Sequence, residues 1–231
     1  VPEISRGGGG KVEVRDGNEI LSKDKIFRYR GSFAGFSDCF RWELMRQKGG
    51  WYADMDIVCL RPFDFADEVV FVSAGMGLQC CLFKFPKEHY IAEAMAESCA
   101  HPERIEPWDI GKYRLRKIGR WFQFWRSAYQ KQSWGEIGGP KGWTRAAQHF
   151  GVSQDAKPIW EADLLGTMGG QYFVNDDLHR IGILQPLMNH AHSIHLTNSG
   201  FIANKWDKDG VYHPNSPFEI LKRRYLPELR E

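Results

Sequence analysis

Apolar and polar positions change their spacing several times along the chain, and each change marks an element. Residues 11–14 alternate as a short strand does. From 37 to 48 the pattern is helical: Ser37 can cap the N-terminus, Asp38 falls in the first turn, where the helix dipole favours an anion, and Gly49-Gly50 stop the helix. WYADMDIVCL, 51–60, reads as one strand running into a turn at Arg61-Pro62. Two more strands are predicted at 69–73 and 79–85 and a helix at 88–100. Residues 112–131 carry a second helical stripe: Leu115, Ile118, Phe122, Trp125 and Tyr129. The loop WGEIGGPKGW, 134–143, follows, and Thr144 can cap a short helix ending near Gly151. A strand at 193–196 and a helix at 217–225 complete the pattern. Strands interleaved with helices predict an α/β layered architecture, and the length fits one domain over 1–231.

Composition changes this picture in a few places. A hydrophobic fraction of 42% is enough for a core, and an aromatic share of 14% with nine Trp leans toward carbohydrate, whose sites are often lined by rings. A net charge of +2 gives no basis for a nucleic-acid partner. The five cysteines include no C-x-x-C pair, which argues against a disulfide framework or zinc knuckle and for a reducing, cytoplasmic setting. No apolar run approaches the roughly 20 residues of a membrane span, and no signal-peptide pattern is present.

The candidate chemistry lies in one string, FSDCFRWELMRQKGGWYADMD, 36–56. Asp38 and Arg41 are three apart on the predicted helix and share a face, as an intrahelical ion pair or as a ligand clamp. In the predicted strand Tyr52, Asp54 and Asp56 are two apart and project from one side. Two carboxylates there repel each other unless a cation joins them, and their oxygens suit Mg²⁺ or Mn²⁺. Such an ion can offset charge on a departing diphosphate.

Taken together, Ser37-Asp38 with Arg41, Gly49-Gly50, Trp51-Tyr52, Asp54 with Asp56, and Leu60-Arg61-Pro62 resemble the DXD-containing glycosyltransferases of the sugar-binding-region family. These are relatives of fungal α-mannosyltransferases and of bacterial capsule and lipopolysaccharide transferases. The resemblance covers 26–64, the donor and metal core motif. It implies a GT-A-type, Rossmann-like fold with a mixed sheet flanked by helices, a Mn²⁺ or Mg²⁺ ion, a UDP- or GDP-sugar donor, and transfer with retention to a glycan or lipid-linked acceptor. By the same resemblance, Asp56 binds the metal, Asp54 contacts the donor or a metal-bound water, Asp38 and Arg41 hold sugar hydroxyls, and Ser37 and Tyr52 lie on the donor side. A GT-A nucleotide pocket usually opens with a β-α-β unit ahead of this motif; none is legible here, so the N-terminus reads as incomplete.

Three further features carry alternatives. The family pattern adds a late histidine to the metal shell, and His195 in NHAHSIHLTNSG is the candidate, although Phe201 stands where the familiar motif has tryptophan. Its other readings are a core histidine, or a zinc site built with His190 and His192. WGEIGGPKGW resembles the Gly-Pro loop beside the donor, with Gly139 the candidate contact, and otherwise reads as a plain turn. From Ile110 to Gly135 there is no acid but seven Lys or Arg. That stretch, within a predicted helical acceptor-side insertion at 101–150, reads either as a helix lying on the inner face of an anionic membrane or as one packed on the domain with Arg116, Lys117, Arg120 and Arg126 solvated.

Two rival functions remain. A haloacid-dehalogenase-type phosphohydrolase would use Asp54 of DMDIV as nucleophile and Asp176-Asp177 as its late acidic pair. A non-catalytic carbohydrate-binding remnant would use the same rings without the chemistry.

Overall fold

The computed structural model describes residues 12–74, 77–131, 135–155, 171–196, 201–202 and 204–226. The protein is mixed α/β and forms two compact units: Val1–Gly50 with Pro86–His149, and Trp51–Phe85 with Phe150–Glu231. The unit boundary at Gly50-Trp51 falls inside the 26–64 motif.

The first unit is helical: α1 (Ala34–Lys48), α2 (Tyr90–Ala100), α3 (Lys112–Trp121), α4 (Ala128–Lys131) and α5 (Pro140–His149). α1 begins earlier than its pattern predicts, after Phe33, and the Ser32 hydroxyl just ahead of it accepts the Ala34 N–H at 3.1 Å. Ser37 is therefore internal and Asp38 lies past the first turn, buried among packed side chains rather than at the dipole. Gly49, at φ 64, ends the helix where a Cβ would collide with the backbone of Lys87. α1 packs on α2, burying Trp42, Met45, Ile91 and Met95, and Trp42 meets Trp143 of α5 with ring centroids 5.3 Å apart.

Other sequence expectations for this unit fail for local reasons. Residues 12–14 form no strand; Val12 and Val14 are each 52% exposed. The helix predicted over 112–131 is two: α3 stops at Trp121, and Ser127 and Gln130 make a capping box that starts α4, with Gln130 N–H donating to Ser127 Oγ at 3.3 Å and Ser127 N–H to Gln130 Oε1 at 3.2 Å. Thr144 does not cap α5; it lies inside, its hydroxyl donating to the Pro140 carbonyl at 2.7 Å.

The second unit holds β1 (Gly50–Ala53), β2 (Ile57–Cys59), β3 (Val70–Ala74), β4 (Gly77–Phe85) and β5 (Ser193–His195), with α6 (Gln171–Val174), α7 (Asp177–Arg180), α8 (Leu184–His190) and a helix at Pro217–Tyr225. The single strand predicted over 51–60 is two strands in two sheets, ordered β1-β4-β3 and β2-β5. β3 and β4 run antiparallel, as do β2 and β5. Only two residues separate β3 from β4, too few for the crossover that parallel pairing needs. The core gathers Leu60, Phe173, Leu184, Ile194, Phe201 and Phe218. Ser216 caps the Pro217–Tyr225 helix by accepting the Glu219 N–H at 3.2 Å.

Among the described residues, no helix is long and apolar enough to cross a membrane. None of the five cysteines forms a disulfide.

Candidate metal centre

Asp54 and Asp56 flank a turn, not positions along one strand. β1 ends at Ala53; the Asp54 N–H donates to Cys81 O of β4 at 2.8 Å, and the Asp54 carbonyl accepts the Ile57 N–H at 3.1 Å. That bond closes the turn and leaves Met55 fully exposed at its tip, so the two acids reach the same side because the chain reverses between them. The expected strand through Asp54 and Asp56 is therefore replaced by a strand that ends at Ala53 and a turn over 54–57.

The third member comes from the far end of the chain. β5 pairs with β2 in the register Ile57↔His195, Val58↔Ile194 and Cys59↔Ser193, and the Leu196 N–H donates to Asp56 O at 2.8 Å. This ladder sets His195 Nε2 at 3.3 Å from Asp56 Oδ1. One ligand atom from each of Asp54, Asp56 and His195 lies within 4.8 Å of the other two, and each residue is half-buried. Among the described residues no other group of His, Cys, Asp or Glu gathers this way. His190 and His192 do not join it: His192 Nε2 lies 3.9 Å from Asp64 and its ring lies against Phe65. Asp176 and Asp177 also stand apart, Asp176 facing His213 at 3.9 Å and Asp177 facing Arg180 at 3.7 Å.

The donor set fits a divalent ion. An octahedral cation with bonds near 2.1 Å puts neighbouring ligand atoms about 3 Å apart, close to the Asp56–His195 separation. Two carboxylates supply charge, and the imidazole adds a ligand that suits Mn²⁺ better than Mg²⁺. Tyr52, on β1, stacks on Phe83 and donates its hydroxyl to Asp54 Oδ1 at 2.6 Å, fixing how that carboxylate presents its oxygens. The resemblance implies a donor-side place for Tyr52; its hydrogen bond to Asp54 is legible only in the fold. Val58 of β2 and Leu196, just after β5, line a cleft of about 700 Å³ with Lys208, Lys222 and Tyr225, within the size range of small-molecule sites.

The remaining candidates belong to the first unit. Asp38 and Arg41 are buried and 3.5 Å apart, and Arg41 reaches back to the Ser37 hydroxyl at 3.4 Å. Gly139 packs on the same carboxylate: a Cβ there would stand 2.5 Å from Asp38 Oδ2 and 2.6 Å from Gly135 Cα. Gly138 accepts the Trp42 indole N–H at 2.6 Å. The glycines of this loop thus let backbone lie against α1. A cavity of about 40 Å³ between Asp38, Phe27, Tyr29 and Tyr129 has room for water but not for a sugar ring. Trp134, at the head of the loop, lies outside the described residues, as do Thr197, Asn198 and Ser199 after His195.

Comparison with protein-family models, with curated proteins and with solved structures gave no match to this chain.

Proposed function

We propose that this protein is a divalent-metal-dependent glycosyltransferase that takes its sugar from a UDP- or GDP-sugar. The convergence of Asp54, Asp56 and His195 carries the reading. A cation held there would offset charge on a departing nucleoside diphosphate. Asp56 and His195 are its ligands, and Asp54, oriented by the Tyr52 hydroxyl, completes the acidic side. The donor set favours Mn²⁺ over Mg²⁺. A GT-A-type arrangement, retention, a glycan or lipid-linked acceptor, and the assignment of Asp38, Arg41, Ser37 and Gly139 to the donor sugar are proposed on the motif resemblance alone.

The phosphohydrolase reading is weaker on geometry, because Asp176 and Asp177 lie outside the Asp54 group. The test runs both chemistries side by side. The chain is incubated with Mn²⁺ and with UDP-glucose, UDP-galactose, UDP-N-acetylglucosamine or GDP-mannose, and nucleoside diphosphate and inorganic phosphate are measured separately. Diphosphate release that stops with chelator and in Asp56→Asn is the expected result, since an amide cannot supply the missing charge. Phosphate release from a generic ester without sugar-nucleotide cleavage would replace the proposal with the phosphohydrolase. Cleavage that persists in excess chelator would remove the metal from it.

A further inference from the structure

α3 is an amphipathic helix turned inside out. Tyr113, Arg116, Lys117 and Arg120 share one side by helical spacing, and this charged side faces its own unit. Lys117 is buried, its ammonium 2.6 Å from Asp109; Arg120 and Arg116 meet the buried Glu136 at 2.6 and 3.3 Å. Leu115, Ile118 and Phe122 share the opposite side, and Leu115 and Phe122 are 70% and 74% exposed. The chain then turns through Phe124 and Trp125, 86% and 71% exposed, whose rings meet edge to face at 5.3 Å. Ile110 and Trp121 extend the same exposed apolar stretch. The packed-helix expectation puts the cations on the outer face and the stripe inward; the fold turns Lys117 and Arg120 inward and Leu115 and Phe122 outward.

We infer that this face is a docking surface for an anionic lipid bilayer, entered by the Leu115, Phe122, Phe124 and Trp125 side chains. Neighbouring exposed aromatics are uncommon on a monomer's surface, and they bring apolar area where a bilayer removes it from water. Charge selects the occupant. Lys112 and Arg114 are exposed and by helical spacing flank Leu115, Arg126 is exposed and follows Trp125 in the chain, Arg116 is half-exposed, and the segment from Ile110 to Gly135 contains no acid to repel lipid phosphates. Tryptophan and phenylalanine edged by lysine and arginine match the headgroup boundary, whereas protein interfaces are depleted in lysine. The inference is independent of the metal centre.

The test is sedimentation of the whole chain with phosphatidylcholine vesicles, with and without phosphatidylserine, over a salt series. The wild type should sediment with the anionic vesicles, less so as salt rises. Phe122→Ser with Trp125→Ser should cut binding about tenfold or more while leaving the thermal midpoint unchanged or higher, because both rings are exposed in the free protein. Lys112→Ser and Arg114→Ser should each cost about fivefold and flatten the salt dependence. Absence of wild-type binding at low salt would overturn the inference, as would full binding by the double aromatic variant. Concentration-dependent self-association that the double variant abolishes, without vesicle binding, would assign the face to a second copy of this chain instead.

Discussion

Two groups of acids in this protein meet opposite fates. In the first unit, Asp109 and Glu136 are almost wholly buried and each is crossed by two cations: Lys117 and Arg145 lie 2.6 and 3.1 Å from Asp109, and Arg120 and Arg116 lie 2.6 and 3.3 Å from Glu136. Asp109 also accepts the Glu106 N–H at 2.9 Å, and Arg145 stacks over the Tyr113 ring at 3.9 Å. In the second unit, Asp54 and Asp56 are half-buried on a turn, in company with a phenol hydroxyl and an imidazole. Acids answered by guanidinium and ammonium groups hold a helix in place. Acids gathered with an imidazole form the donor set of an ion site. Residue type alone does not separate these roles; the company each acid keeps does.

The sharpest way to break that contrast is to remove one acid from each group. Asp109→Ala leaves Lys117 and Arg145 buried opposite a void and should cost about 3–5 kcal/mol in urea unfolding. Asp56→Asn should change metal-free stability by less than about 1 kcal/mol, because its surroundings are partly solvated. Equal losses from the two would dissolve the distinction.

Tyr52→Phe probes a smaller effect on the metal side alone. Loss of the hydroxyl that orients Asp54 should weaken Mn²⁺ binding by about 10–100-fold, read from the loss of free Mn²⁺ resonance on titration. Binding unchanged from wild type would show that Asp54 needs no such support.

The smallest effect belongs to the first unit. Burial, reinforced by the neighbouring Cys39 and Cys99, pushes the Tyr129 hydroxyl up from 10.0 to about 12. The folded state therefore favours the neutral phenol. Its contribution is intact below pH 10 and is lost as pH climbs toward 12. Denaturant midpoints of wild type and Tyr129→Phe should keep a constant difference up to about pH 10 and then shift against the wild type. A difference that stays flat to pH 12 would show that the tyrosine titrates normally.

Several elements were legible without the fold. The end of α1 is one: Gly49-Gly50 stops it where the pattern puts the stop, since that signal acts over one turn of backbone. The D-x-D pair was visible by residue type and spacing, His195 came from the resemblance, and the absence of acids over 110–135 was plain. Other features were not legible, because nothing local specifies them. Which side of α3 faces inward depends on where Asp109 and Glu136 are carried. Whether WYADMDIVCL is one strand or two depends on which strands its halves find, β4 for the first and β5 for the second. Whether His195 meets Asp56 depends on the β2–β5 register, and a one-residue slip would turn its imidazole to the other face. A glycine stop acts on adjacent backbone and is written in the chain; which serine or threonine caps a helix and which distant segments pair are competitions among surfaces, and only the assembled structure records which won.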